Sequence, residues 1–93
     1  MIERSTRPRL ARKAKLRFDR HSGQHMIVYP EKGLALNATA AAVAELCTGE
    51  HDVTHIVELL AARFADTPRE RIEHEVDAFL EQLALRGLLS DSP

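Results

Sequence analysis

Polar and apolar residues alternate from Lys15 to Asp19 and again, less strictly, from His25 to Tyr29. A period of two marks strands with one buried face. His21-Ser22-Gly23 between them reads as a three-residue hairpin loop with Gly last. That register pairs Phe18 with Met26 and Leu16 with Val28, and places all four on the core face. Ile27 and Tyr29 then point to the other side, which predicts that a docked arm or a second copy covers that side. Pro30-Glu31-Lys32-Gly33 predicts a second turn, with Gly33 free to take positive φ at its end. The short run Leu34-Ala35-Leu36 completes a third strand. Consecutive hairpins give the order 1-2-3, so the first and third strands are both edges.

After Leu36 the period lengthens to that of helices. Asn37 offers a side-chain oxygen to a first helical turn. Ala38 to Thr48 follows without Gly or Pro, with Ala40, Val43, Ala44 and Cys47 on one stripe and Leu46 beside it. Gly49 suits the residue past its end. A second helix starts near Asp52, with Val53, Ile56, Val57, Leu60 and Phe64 at helical spacing. Thr67-Pro68-Arg69-Glu70 predicts a third helix opened by a capping box. Its stripe is Ile72, Val76, Phe79, Leu80 and Leu83; Gly87 ends it, and Leu88 and Leu89 fold back onto the core. The pattern predicts an α+β, winged-helix-like domain over residues 14–90: a three-stranded antiparallel sheet followed by three helices.

Composition narrows this little. The 93 residues, 44% of them hydrophobic, suit one small domain. Cys47 is the single cysteine, so no internal disulfide forms, and a reducing cytoplasm is the expected location. No stretch approaches the roughly 20 apolar residues of a membrane-spanning helix. Charge changes the picture more. Net charge is −1, yet residues 1–20 carry eight basic residues against Glu3 and Asp19, or +6, leaving −7 for the remainder. Residues 1–13, arginine-rich and poor in apolar residues, read as a flexible basic arm.

Catalytic chemistry finds no purchase in these residues. Cys47, His51 and His55 are spaced by four, but Gly49 breaks the helix between them and Cys47 falls on the core stripe. A buried thiol is therefore expected, and no metal site. Glu73, Asp77 and Glu81 read as a solvated acidic face. No phosphate loop, nucleophile–base pair or cofactor motif is present, so no enzyme is expected.

Lys15-Leu16-Arg17-Phe18-Asp19, Tyr29-Pro30-Glu31, Leu36-Asn37-Ala38-Thr39-Ala40-Ala41 and Ile56-Val57 with Leu60 resemble the PqqD family. Arg63-Phe64 and Phe79-Leu80, Leu83, Gly87-Leu88 continue the likeness across about residues 8–90. The resemblance implies a recognition element for ribosomally made, modified peptides. It implies a chaperone that binds the precursor peptide of pyrroloquinoline quinone (PQQ) and presents it to a radical S-adenosylmethionine enzyme, which cross-links a Glu and a Tyr of that peptide. No cofactor is implied for the chaperone itself.

Such recognition would proceed by strand addition to the third strand, at Gly33, Leu34, Ala35 and Leu36. By the same resemblance the groove lies between that strand and the last helix, where Arg71, His74, Glu75 and Ala78 flank the core stripe. A recognition element for a different modified peptide is an alternative. A DNA-binding winged helix is another, set against the acidic body and a second helix whose basic residue is Arg63 alone. A homodimer built on Ile27, Tyr29 or a swapped arm could coexist with peptide binding.

Overall fold

The alternation from Lys15 to Tyr29 forms β1 (Lys15–Asp19) and β2 (Gln24–Tyr29) in the computed structural model, which describes residues 2–90. Their register differs by one residue from the expected one. Leu16 pairs with Ile27 and Phe18 with His25. The cause is the turn, which begins one residue early. The Asp19 carboxylate accepts the His21 N–H at 3.0 Å and the Ser22 hydroxyl at 2.9 Å, while the Gly23 N–H donates to the Asp19 carbonyl at 2.8 Å. The loop is therefore Arg20–Gly23, with Gly23 at φ 72. These bonds, the His21 N–H first, also hold the Asp19 carboxyl below its usual pKa.

A slip of one residue exchanges the two faces of β2. Ile27, expected outside, is fully buried, and Tyr29 is partly buried on the same side. Met26 and Val28, expected inside, lie on the outer face. Phe18 shares the core side with Leu16 but sits beyond the core, 55% exposed, its ring against that of His25. The second apolar face that needed a cover is thus the core itself.

β3 (Lys32–Leu36) pairs with β2 in the expected order β1-β2-β3. Tyr29 pairs directly with Lys32, so the turn is Pro30-Glu31 alone. Glu31 takes the positive φ, 65, that had been expected at Gly33. Gly33 serves a different need: a Cβ there would stand 2.9 Å from Met26 Cε on the outer face.

The helices follow their start signals closely. In α1 (Ala38–Leu46) the Asn37 side chain accepts the Ala40 N–H at 2.8 Å. In α2 (Val53–Arg63) Asp52 accepts from His55, also at 2.8 Å. α3 (Arg69–Leu85) departs from expectation: Pro68, extended at ψ 141, is the cap, and no side chain caps the turn. Thr67 therefore lies one residue too early for its capping box, though Glu70 still stands in the first turn, where the helix dipole favours it. At the far end the Gly87 N–H donates to Ala84 and the Leu88 N–H to Leu83. This is the Schellman arrangement, and it folds Leu88 fully into the core.

Ile27, Val43, Ile56, Leu60, Ile72, Leu80 and Leu83 form the aliphatic centre. α1 is buried almost all round, with Ala41, Ala42, Val43 and Ala44 enclosed; it packs against β2, β3, α2 and α3.

The segment expected as a flexible arm lies along the body, with Met1 outside the described residues. Carbonyls of Arg4 and Thr6 accept the Thr54 and Val53 N–H groups. Pro8 is buried, its carbonyl accepting from Gly49. Leu10 and Ala11 donate to Cys47 and Leu88, and Arg9 accepts from Ser90 at 2.7 Å. Arg4 closes the strap with a two-pronged pair to Asp77, at 2.9 and 3.2 Å. These bonds were invisible to a reading based on apolar content, because they use backbone groups.

Two measurements check this packing. Ile27→Ala should cost about 2–5 kcal/mol in chemical denaturation, as enclosed Ile truncations do, and Met26→Ala less than about 1 kcal/mol; the reverse order would restore the other register. Burial pushes the Cys47 thiol up from 9.0 to about 12. The unfolded chain therefore ionises first. Stability is unaffected below pH 9.0 and falls as pH rises from there toward 12. Cys47→Ala should flatten that alkaline decline, and in the native protein the thiol should resist a disulfide reagent that modifies it readily once unfolded.

Candidate functional site

The third strand ends at Leu36 and α1 begins at Ala38, so Asn37 alone turns the chain from sheet to helix. β3 has β2 on one side and no strand on the other. The hydrogen-bond alternation can be counted from the two-residue turn. Tyr29–Lys32, Ile27–Leu34 and His25–Leu36 are the bonded pairs, and the intervening residues face away. The N–H and C=O groups of Gly33 and Ala35 are therefore directed to the open edge.

α3 lies across from this edge, held off by α1. A groove of about 280 Å³ separates them. Leu34, Ala35 and Leu36 form one wall, and Asn37, Thr39 and Ala40 the α1 end. The opposite wall is one stripe of α3: His74, Glu75, Ala78, Phe79 and Gln82. Arg86 at the end of α3 donates to the Tyr29 hydroxyl at 3.1 Å, next to the turn that starts β3. β3 and α3 thus run in opposite directions, and the groove is tied at its Tyr29 end. The wall chemistry is mixed: Leu36 and Phe79 form an apolar floor, and Asn37, His74, Glu75 and Gln82 supply a polar rim. The volume falls below the roughly 300–1,000 Å³ of clefts that enclose small ligands. It suits side chains of an extended chain.

Of the residues expected at a peptide site, Leu34, Ala35, Leu36, His74, Glu75 and Ala78 stand together around this groove. Gly33 contributes backbone at the edge but does not line it. Arg71 does not line the groove; it is largely exposed, 3.5 Å from the Glu75 carboxylate in an ion pair of small energetic worth. Asn37, Thr39, Ala40, Phe79 and Gln82 line the groove as well. Gln82 had a usable signal, since it lies four residues beyond Ala78 on the same face. Asn37 was read as a cap only, and Phe79 as core only; each serves both ends.

His51 and His55, both beyond Gly49, come together with Nδ1 atoms 3.0 Å apart, so one ring donates to the other. Cys47 stays buried in the core away from them. Among the described residues no group of three or more His, Cys, Asp or Glu is placed to hold a metal ion. The acidic repeat on α3 is divided: Asp77 is engaged by Arg4, while Glu81 borders an open apolar patch around Leu85. No helix among the described residues is long and apolar enough to cross a membrane.

The geometry can be set beside known proteins. A family model described as Coenzyme PQQ synthesis protein D (PqqD) matches residues 24–89. A PqqA binding protein of Bradyrhizobium diazoefficiens is 38% identical over 91 residues, covering 98% of this chain and 87% of that protein. A PqqA binding protein of Rhizobium meliloti is 32% identical over 89 residues, covering 96% and 90%. The solution NMR structure of the PqqD truncation of Methylobacterium extorquens PqqCD, a functional and stand-alone recognition element for ribosomally synthesised and modified peptides, superposes with a TM-score of 0.81. That structure is 31% identical, with 97% of this chain and 95% of that one covered. The three-stranded antiparallel sheet followed by three helices is the fold of that recognition element, and the chain belongs to the PqqD family.

Proposed function

We propose that this chain binds PqqA, the precursor peptide of PQQ, as an added strand on β3 and presents it to a radical S-adenosylmethionine enzyme. It performs no catalysis itself and works in the cytoplasm. The observation that carries this reading is the open edge of β3 facing the α3 groove. The outward N–H and C=O groups of Gly33 and Ala35 would bond the backbone of the incoming strand and give affinity with little regard to sequence. Alternate side chains of the peptide would point between Leu36 and Phe79 and along Ala78, with His74, Glu75 and Gln82 reading polar groups. The names of the relatives supply the ligand, since they are called PqqA binding proteins. A different modified peptide would use the same edge.

DNA binding draws less support. The first N–H groups of α2, Val53 and Thr54, are taken by carbonyls of the strap, so they do not offer themselves to a phosphate. Arg63, the basic residue of α2, lies over the Phe64 ring, 5.5 Å from its centre.

Ala35→Pro tests the reading. The Ala35 N–H is not used by β2, so proline should spare the ladder while removing a donor from the edge. Fluorescence anisotropy with labelled PqqA should show binding weakened about five- to tenfold, with helical circular dichroism preserved. Ala78→Trp, which fills the groove from the exposed face of α3, should weaken binding further. Unchanged affinity in both variants, or a loss of helix signal in step with the loss of binding, would count against β3 as the site.

A further inference from the structure

Charge in this molecule is segregated by edge. Arg12, Lys13, Lys15, Arg17 and Arg20 all lie exposed in or beside β1. Among the described residues the ion pairs are Arg4 with Asp77 and Arg71 with Glu75, so none of these five cations has a carboxylate partner. The one acid in the stretch, Asp19, is turned into its own loop. The opposing charge is concentrated on α3, where Glu70, Glu73, Glu75, Asp77 and Glu81 outnumber Arg69 and Arg71.

Apolar surface accompanies the cations. Lys15 and Arg17 stand on the outer face of the sheet directly across from Val28 and Met26. Val28 is 40% exposed. The next column is Gly33 and Ala35, which leaves the face nearly flat. Phe18, 55% exposed over His25, belongs to the opposite face of β1 and is not part of this surface. The outer edge of β1 carries no strand. The strap does not cover this face, because its backbone bonds run to Cys47, Gly49, Val53, Thr54, Leu88 and Ser90. Arginine beside Met26 and the exposed Val28 is a composition suited to a protein-binding surface. A phosphate-binding track would repeat cations without the apolar column and would not sit on an acidic body.

We infer that β1 and the outer sheet face beside it form a second docking surface, for an acidic patch on the enzyme that modifies the bound peptide. This rests on the peptide reading above for the identity of the enzyme. The two edges of the sheet lie about 10 Å apart, and β2 separates them. A peptide on β3 and an enzyme on β1 therefore occupy the domain together without competing. Opposite charge across the interface steers the encounter and fixes its orientation.

The test is a charge-reversed variant, Lys15→Glu with Arg17→Glu, both at exposed positions. Affinities for labelled PqqA and for the radical S-adenosylmethionine enzyme are measured separately. Reversal should weaken the enzyme complex at least about tenfold while leaving PqqA affinity within about twofold, because neither residue lines the groove. The wild-type enzyme complex should also weaken as salt rises from about 0.05 to 0.5 M. Undiminished enzyme binding in the reversed variant overturns the inference, as does capture of a DNA duplex by the wild type that reversal abolishes. Failure of the wild type to bind PqqA overturns the peptide reading instead, and the enzyme measurement still decides the β1 surface.

Discussion

A strand edge can accept a second chain only if its neighbours neither pair with it nor collapse onto it. In this domain that condition depends on α1. Asn37 alone separates β3 from α1, and its side chain locks the first helical turn through the Ala40 N–H at 2.8 Å. The helix then runs beneath the sheet with Ala41, Ala42, Val43 and Ala44 enclosed. Small side chains let it approach the sheet and both other helices closely. Its position nonetheless holds α3 away from β3, and the groove is the space left over. The cap, the alanine run and the open edge are one construction.

Features that depend on residues near in sequence were legible. The order of strands and helices, the Asn37 and Asp52 caps, the stripe of α3 and the fold-back of Leu88 follow from local chemistry and period. The register of β1 on β2 was not legible in the same way. It turns on whether the Asp19 carboxylate or the Gly23 backbone decides where the loop begins, and one residue exchanges Ile27 with Met26. The same kind of local competition moved the cap of α3 from Thr67 to Pro68 and the positive φ from Gly33 to Glu31. The strap was illegible for a different reason. Its apolar content is low, and what holds it is backbone bonding to distant segments together with one ion pair between Arg4 and Asp77.

For the site, the sequence indicated the strand and half of the helix face. Leu34 to Leu36 stood out as a short edge, and the residues of α3 flanking its core stripe were a short list. Which of those residues face the groove depended on the placement of α1, which no spacing rule supplies. Arg71 and Gln82 illustrate this. Both lie near the stripe, yet Gln82 lines the wall and Arg71 does not. The separation of charge was visible in composition, but it became meaningful only when the cations proved to lie along β1, across the sheet from the groove.

The central claim is that a peptide adds to β3 beside α3. Following backbone amide shifts of isotopically labelled protein during titration with PqqA tests it most directly. The account predicts the largest changes at Gly33 and Ala35 and along His74, Glu75, Ala78 and Gln82, with Lys15 and Arg17 little affected. Changes centred on β1 or on the exposed face of α2, with β3 unmoved, would contradict it.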